Sequence, residues 1–144
     1  MIRSIKFRGK KKSPYGDKWV EGYYALQDGE HVIIMPHSDD YKESLEAQEP
    51  LPPISASHVV DMNALGQYTG LKDKNGTEIY EGDIVKVILT EFDKYWIGKI
   101  KYELAICSYV IKRKGYIDVA FFENLKDIEV IGNIYDNPEL IKEE

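Results

Sequence analysis

The sequence predicts a mainly β chain: an N-terminal β-meander, a proline-containing loop excursion, minor helix and a small antiparallel barrel at the C-terminal end. Three observations predict it. Turn-forming pairs such as Asp28-Gly29, Asn75-Gly76 and Lys114-Gly115 recur along the chain and separate short apolar runs. Residues from Ile84 onward alternate between apolar and polar with the period of a strand. Eleven tyrosines and two tryptophans favour pleated surfaces over helices.

The first segment offers strands at Ile2 to Arg8, Trp19 to Leu26 and His31 to Met35, the last two joined across Asp28-Gly29. Pro50, Pro52 and Pro53 bar the stretch from Pro36 to Pro53 from a central strand, and the polar run Asp39 to Gln48 suits a short helix within an exposed excursion. In the run Gly66 to Val85, Asn75-Gly76 accepts the positive φ of a tight hairpin. The turn is either a two-residue primed turn or a type I turn closed by Gly76 in the left-handed region, and it sets Gln67 to Leu71 against Thr77 to Tyr80. Gly82 permits a second bend, and Asp83 can accept backbone amides ahead of the next strand.

Beyond Ile84 the alternation places Val85, Val87 and Leu89 on one face, with Ile84, Lys86 and Ile88 on the other. Tyr95 to Tyr102 turns Trp96, Ile100 and Tyr102 one way and Lys99 and Lys101 the other. Ala105 to Lys112, Tyr116 to Phe122 and Ile128 to Ile134 complete five strands. Five short twisted strands avoid two wet edges by closing, which predicts an SH3-like barrel; an OB-like barrel is the alternative. Residues 1–65 then form an N-terminal β-rich segment with a variable loop at 36–53, and residues 66–144 the barrel with its leading hairpin.

Charge divides the chain unevenly. Arg3, Lys6, Arg8, Lys10, Lys11 and Lys12 occur before any acid, leaving a body more acidic than the net charge of −6. The basic end suits phosphate contacts but fits better as an edge strand blunted by lysines, and the acidic body disfavours nucleic acid. A single cysteine, Cys107, excludes an intramolecular disulfide and a multi-thiolate metal site; its apolar surroundings predict a small core residue in a strand. No stretch reaches the ~20 apolar residues of a membrane span, and the basic start lacks the apolar centre of a signal peptide, so a cytoplasmic protein is expected.

The motifs of catalysis are sparse. His31, His37 and His58 lack zinc-site spacing, and His37-Ser38-Asp39-Asp40 lacks the glycine and regular spacing of a calcium loop. Gly66-x-x-x-Gly70 is not followed by Lys-Ser/Thr, as a phosphate loop requires. Asp83, Glu91, Glu103 and Asp118 remain candidates for paired carboxylates. No cofactor or metal is expected.

The runs Gly66 to Gly76 and Ile79 to Val85, the ending Glu129 to Leu140, and Ile5-Lys6-Phe7-Arg8 together resemble the YopX-like family; Gln27 to Ile54 matches least. The resemblance implies a protein of phages and prophages of mainly Gram-positive bacteria with an SH3-like barrel, and it carries over no catalytic residue. The central motif is read either as a structural hairpin and corner or as a binding surface displaying Gln67, Tyr68 and Thr69. Lys10, Lys11 and Lys12 are the other candidate binding residues. The expectation is a non-enzymatic, self-associating binding module with a host or phage protein as partner. A nucleic-acid-binding barrel and a small hydrolase are the alternatives.

Overall fold

The structure, a computed structural model, describes residues 4–12, 18–35, 57–89, 92–120 and 127–141. The predicted excursion at 36–53, the His37 to Asp40 cluster and Glu91 lie outside these. The described residues fall into two compact units, Ile5–Leu65 and one made of Ser4 with the residues from Gly66 onward.

In the first unit, β1 (Phe7–Lys11), β2 (Trp19–Gln27), β3 (Glu30–Ile34) and the start of β4 (Ser57–Lys72) pair in chain order. The β2–β3 turn holds Asp28 at φ 50° and Gly29 at φ 81°, the two positive values of a type I′ hairpin. The meander then closes on itself, because β1 also pairs with β4. Two sequence-based expectations change here. The first strand runs from Phe7 to Lys11, starting after Lys6 and passing the expected end at Arg8, and it is paired on both sides rather than an edge; Ile2 and Arg3 of the expected strand lie outside the described residues. Lys12 donates its amide to the Val59 carbonyl at 3.1 Å, so the basic run forms part of a closed ring of strands.

Closing only four strands leaves little interior. Val20, Ile33 and Val60 fill it, with Phe7, Tyr24 and Leu65 packed around them. Gly9 passes so close to Val60 that a Cβ there would lie 2.8 Å from the valine side chain, which explains a glycine in mid-strand.

The second unit opens with the end of β4, which pairs with β5 (Glu78–Tyr80) through Tyr68 opposite Tyr80 and Lys72 opposite Glu78. Between them Gly76 sits at φ 81° and donates its amide to the Asp73 carbonyl at 3.0 Å, so of the two predicted turns the type I turn closed by a left-handed glycine is the one formed. A Cβ at Gly76 would meet nothing within 4 Å, so substitution there tests backbone strain alone. Gly76→Val should lower stability by at least ~1 kcal/mol in a urea melt, since a β-branched residue would be forced to positive φ. A melt superimposable on the parent's would contradict this turn.

Strands β6 (Asp83–Leu89), β7 (Lys94–Glu103), β8 (Ser108–Lys112), β9 (Val119–Ala120) and β10 (Ile128–Asn133) follow, in the sheet order β10-β6-β7-β8-β9. A three-turn meander whose last strand returns beside its first is the strand order of an SH3-like barrel, and the protein as a whole is mainly β. Its core is Ile79, Val85, Val87, Ile100, Ile111 and Ile128, with Trp96 packed against it. Ile84 is also fully buried, so β6 is covered on both faces at its start, and Leu89 is 39% exposed. Cys107 departs from its expected place. A 3-10 turn at Leu104–Ile106 precedes β8, and Cys107 follows it exposed, at φ 49°, rather than inside a strand.

Candidate functional site

Strand β7 alternates as the sequence requires. Ile100 joins the core and Trp96 packs against it, while Tyr95, Lys99 and Lys101 face outward. The register then sets Lys99 of β7 directly opposite Lys112 of β8. Like charges so placed are destabilising unless neutralised. Lys112 is neutralised: its Nζ lies 3.9 Å from Glu103 Oε2 and 3.4 Å from Asp118 Oδ2. Lys99 forms no ion pair among the described residues.

Strand β8 ends in Lys112-Arg113-Lys114-Gly115-Tyr116, where Tyr116 donates its amide to the Arg113 carbonyl at 3.2 Å. This turn folds Arg113 back so that its guanidinium lies 3.9 Å from the Tyr116 ring centroid and 5.8 Å from that of Trp96. The result is a groove of about 950 Å3. Its floor is β7 from Tyr95 to Lys99, and its walls are Lys112 to Tyr116 and the residues Leu140 and Ile141 of a 3-10 turn at Pro138–Ile141. Among the described residues the lining has four cations (Lys99, Lys112, Arg113, Lys114), three aromatic rings (Tyr95, Trp96, Tyr116) and no acid. Lys86 adds a cation at the rim, 4.5 Å over the Tyr95 ring. Beside the groove, Trp96, Arg113, Tyr116, Ile117 and Val119 enclose a mainly apolar recess of about 340 Å3.

The residues singled out from sequence sit elsewhere. Tyr68 is 5% exposed, and its ring lies 5.4 Å from that of Tyr80. Thr69 is also buried; its hydroxyl donates to the Ile79 carbonyl at 2.8 Å and accepts the Leu71 amide at 3.2 Å, bolting the hairpin together. Gln67 is half-buried and donates its amide to Glu81 Oε2 at 2.8 Å. With Glu81, Tyr102, Cys107, Ser108 and Tyr109, Gln67 lines a polar pocket of about 390 Å3. Lys10, Lys11 and Lys12 belong to the other unit, with Lys10 6.0 Å over the Trp19 ring and Lys12 3.8 Å from Glu30.

Two aspartates do structural work. Asp83 accepts the Tyr80 amide at 2.8 Å. Asp73 accepts the amides of Asn75, Thr77 and Val130. Burial pushes the Asp73 carboxyl up, but those three amides outweigh it and hold the group below the usual carboxylate range. In the first unit, His58 is held below the ordinary histidine value by burial and then by Lys11. His31 meets the Tyr24 hydroxyl at 2.8 Å. Of the candidate carboxylates, Glu103 and Asp118 do converge, but on the Lys112 ammonium. Among the described residues no three His, Cys, Asp or Glu side chains gather as a metal site would require, and no helix is long and apolar enough to cross a membrane.

Sequence reasoning missed Arg113, Tyr116 and the pairing that brings them to Trp96. The one local sign was a basic run ending in an aromatic, Lys112 to Tyr116.

The fold and the groove define a small β-barrel protein with a basic, aromatic face. The family model described as YopX protein matches residues 6–142, so the chain belongs to the YopX family. Among solved structures, protein EF1440 from Enterococcus faecalis is similar with a TM-score of 0.53 and 22% identity, over 96% of this chain and 99% of that one. That likeness shows the fold. No curated protein matches the chain.

Proposed function

We propose that this is a phage- or prophage-encoded accessory protein acting in the bacterial cytoplasm as a non-enzymatic binding module, with the barrel groove as its working surface. The observation that carries this reading is the clustering of Lys99, Arg113 and Lys114 around Lys112, of which only Lys112 is paired with carboxylates (Glu103 and Asp118), in a chain of net charge −6. Such a local field selects an anionic partner against the sign of the whole molecule. The family resemblance supports the phage origin. An exposed single thiol suits a reducing compartment and thus the cytoplasm. Self-association finds support in the first unit, where Tyr23 of β2 and Val59 of β4 are 58% and 41% exposed.

Retention on phosphocellulose tests the groove. At low ionic strength the acidic protein should be held, and Lys99→Glu combined with Arg113→Glu should flow through while melting like the parent. Flow-through of the parent would overturn the reading. The same preparation should sediment above the mass of one chain; a strict monomer would remove self-association and leave the groove standing.

A further inference from the structure

Resting on the reading of the groove as an anion-binding surface, we propose that its ligand is a single strand of nucleic acid, phosphates following Lys99, Lys112 and Lys114 and a base entering the recess beside Trp96, Arg113 and Tyr116.

The charges require a polyanion. Lys99 and Lys112 face outward from directly opposite positions on adjacent strands, with Lys112 shared with Glu103 and Asp118, and Lys114 follows two residues past the end of β8, so the cations extend over more than one phosphate's reach. The planar groups require something more. The Arg113 guanidinium lies on Tyr116 and reaches toward Trp96, and the adjoining recess has Trp96, Tyr116, Ile117 and Val119 as its other walls, with Ile117 90% exposed at its lip. The exposed outer faces of these groups offer a flat heterocycle a stacking platform, and every base has a face to stack. An acidic peptide would satisfy the lysines and leave the rings without a planar partner. A duplex hides its base faces and presents edges in grooves that are read by a protruding element, whereas this surface is concave. No amide or carboxylate side chain stands among the described lining residues to read base edges, so binding should be tolerant of sequence.

The two tryptophans, Trp19 and Trp96, lie in different units, which allows a direct test in the full-length chain. In Trp19→Phe the remaining fluorescence comes from Trp96. Titration with 15-residue dT and rU oligonucleotides at low salt should quench it with at least one of the two, and comparing them decides between DNA and RNA. The slope of log K against log salt should be roughly −2, at about 0.7 for each phosphate held by Lys99, Lys112 and Lys114 on a single strand, and should become shallower by about 0.7 in Lys99→Gln. Tyr116→Ala, an exposed loop substitution, should weaken binding roughly tenfold with the melt unchanged. Absence of quenching with both oligonucleotides would overturn the proposal. So would quenching confined to Trp96→Phe, which would place the strand at the basic amino end beside Trp19. If phosphocellulose retention persists while quenching is absent and polyglutamate elutes the protein, the groove reading survives and its ligand is an acidic peptide. If retention itself is absent, both readings fall.

Discussion

Replacing Asp73 by alanine should cost about 3–5 kcal/mol of stability, a large share of the ~5–15 kcal/mol typical of a folded protein. Asp73 is 7% exposed. Its Oδ1 accepts the amides of Asn75 at 2.8 Å and Thr77 at 2.9 Å, fixing the hairpin turn. Its Oδ2 accepts the Val130 amide at 2.9 Å, from β10. One carboxylate therefore ties the β4–β5 turn to the last strand of the barrel. Hydrogen bonds to charged groups contribute about 1.5–3 kcal/mol each without adding fully; the exposed turn amides can turn to water, whereas the half-buried Val130 amide loses its partner. The carboxyl is held below its ordinary value, so its ionic contribution is complete above the unfolded value near ~3.9 and is lost as pH falls through the lower folded value. In urea melts the gap between the parent and Asp73→Asn should be widest at neutral pH and narrow below pH ~4, because the amide nitrogen faces a donor where the carboxylate accepted. Equal midpoints at neutral pH would show that the Asp73 hydrogen bonds do not hold the hairpin to β10.

What could be read from sequence was what local chemistry dictates. Asn75-Gly76 announces a turn because few residues tolerate positive φ, and the pairing of Gln67 to Leu71 with Thr77 to Tyr80 follows from it. Period-two alternation sets Val85, Val87 and Leu89 on one face and Ile100 opposite the lysines of its strand, and the structure buries Val85, Val87 and Ile100 in the core while Leu89 at the strand's end stays 39% exposed. The first half of β4 gave no such sign. Asp61 and Asn63 are poor strand formers, and Ser57 to Val59 extend because they hydrogen-bond to β3, twenty or more residues away. Lys10 and Lys11 read as the blunting of an edge, yet the edge is closed by β4. At Cys107 the chain turns through a left-handed residue without the glycine, asparagine or proline that usually marks one.

The groove was hidden for the same reason. Its members come from β7, from the loop after β8 and from the C-terminal 3-10 turn, and only the register that sets Lys99 opposite Lys112 brings the first two together. Sequence could rank Tyr68 and Thr69 as candidates because they stand in a long motif. It could not say which side of β4 faces the core, since the strand shows no clean alternation there and Tyr68 and Thr69 are both buried, on successive positions.

That burial makes Tyr68→Ala the second large effect. The Tyr68 and Tyr80 rings sit opposite each other across the hairpin, tilted by 43°, with Tyr80 only 2% exposed. Truncating one removes a large apolar contact and leaves a cavity its neighbours only partly fill, at a cost of about 3–5 kcal/mol, of which the aromatic pair accounts for roughly 1. The midpoint of thermal unfolding should drop by ~10 °C or more. Gln67→Ala supplies the contrast: the bond from its backbone amide to Glu81 survives the substitution, so its midpoint should stay within a few degrees of the parent's. A Tyr68→Ala protein that melts with the parent but is no longer retained on phosphocellulose would make the tyrosine a binding residue and move the working surface from the groove to the hairpin.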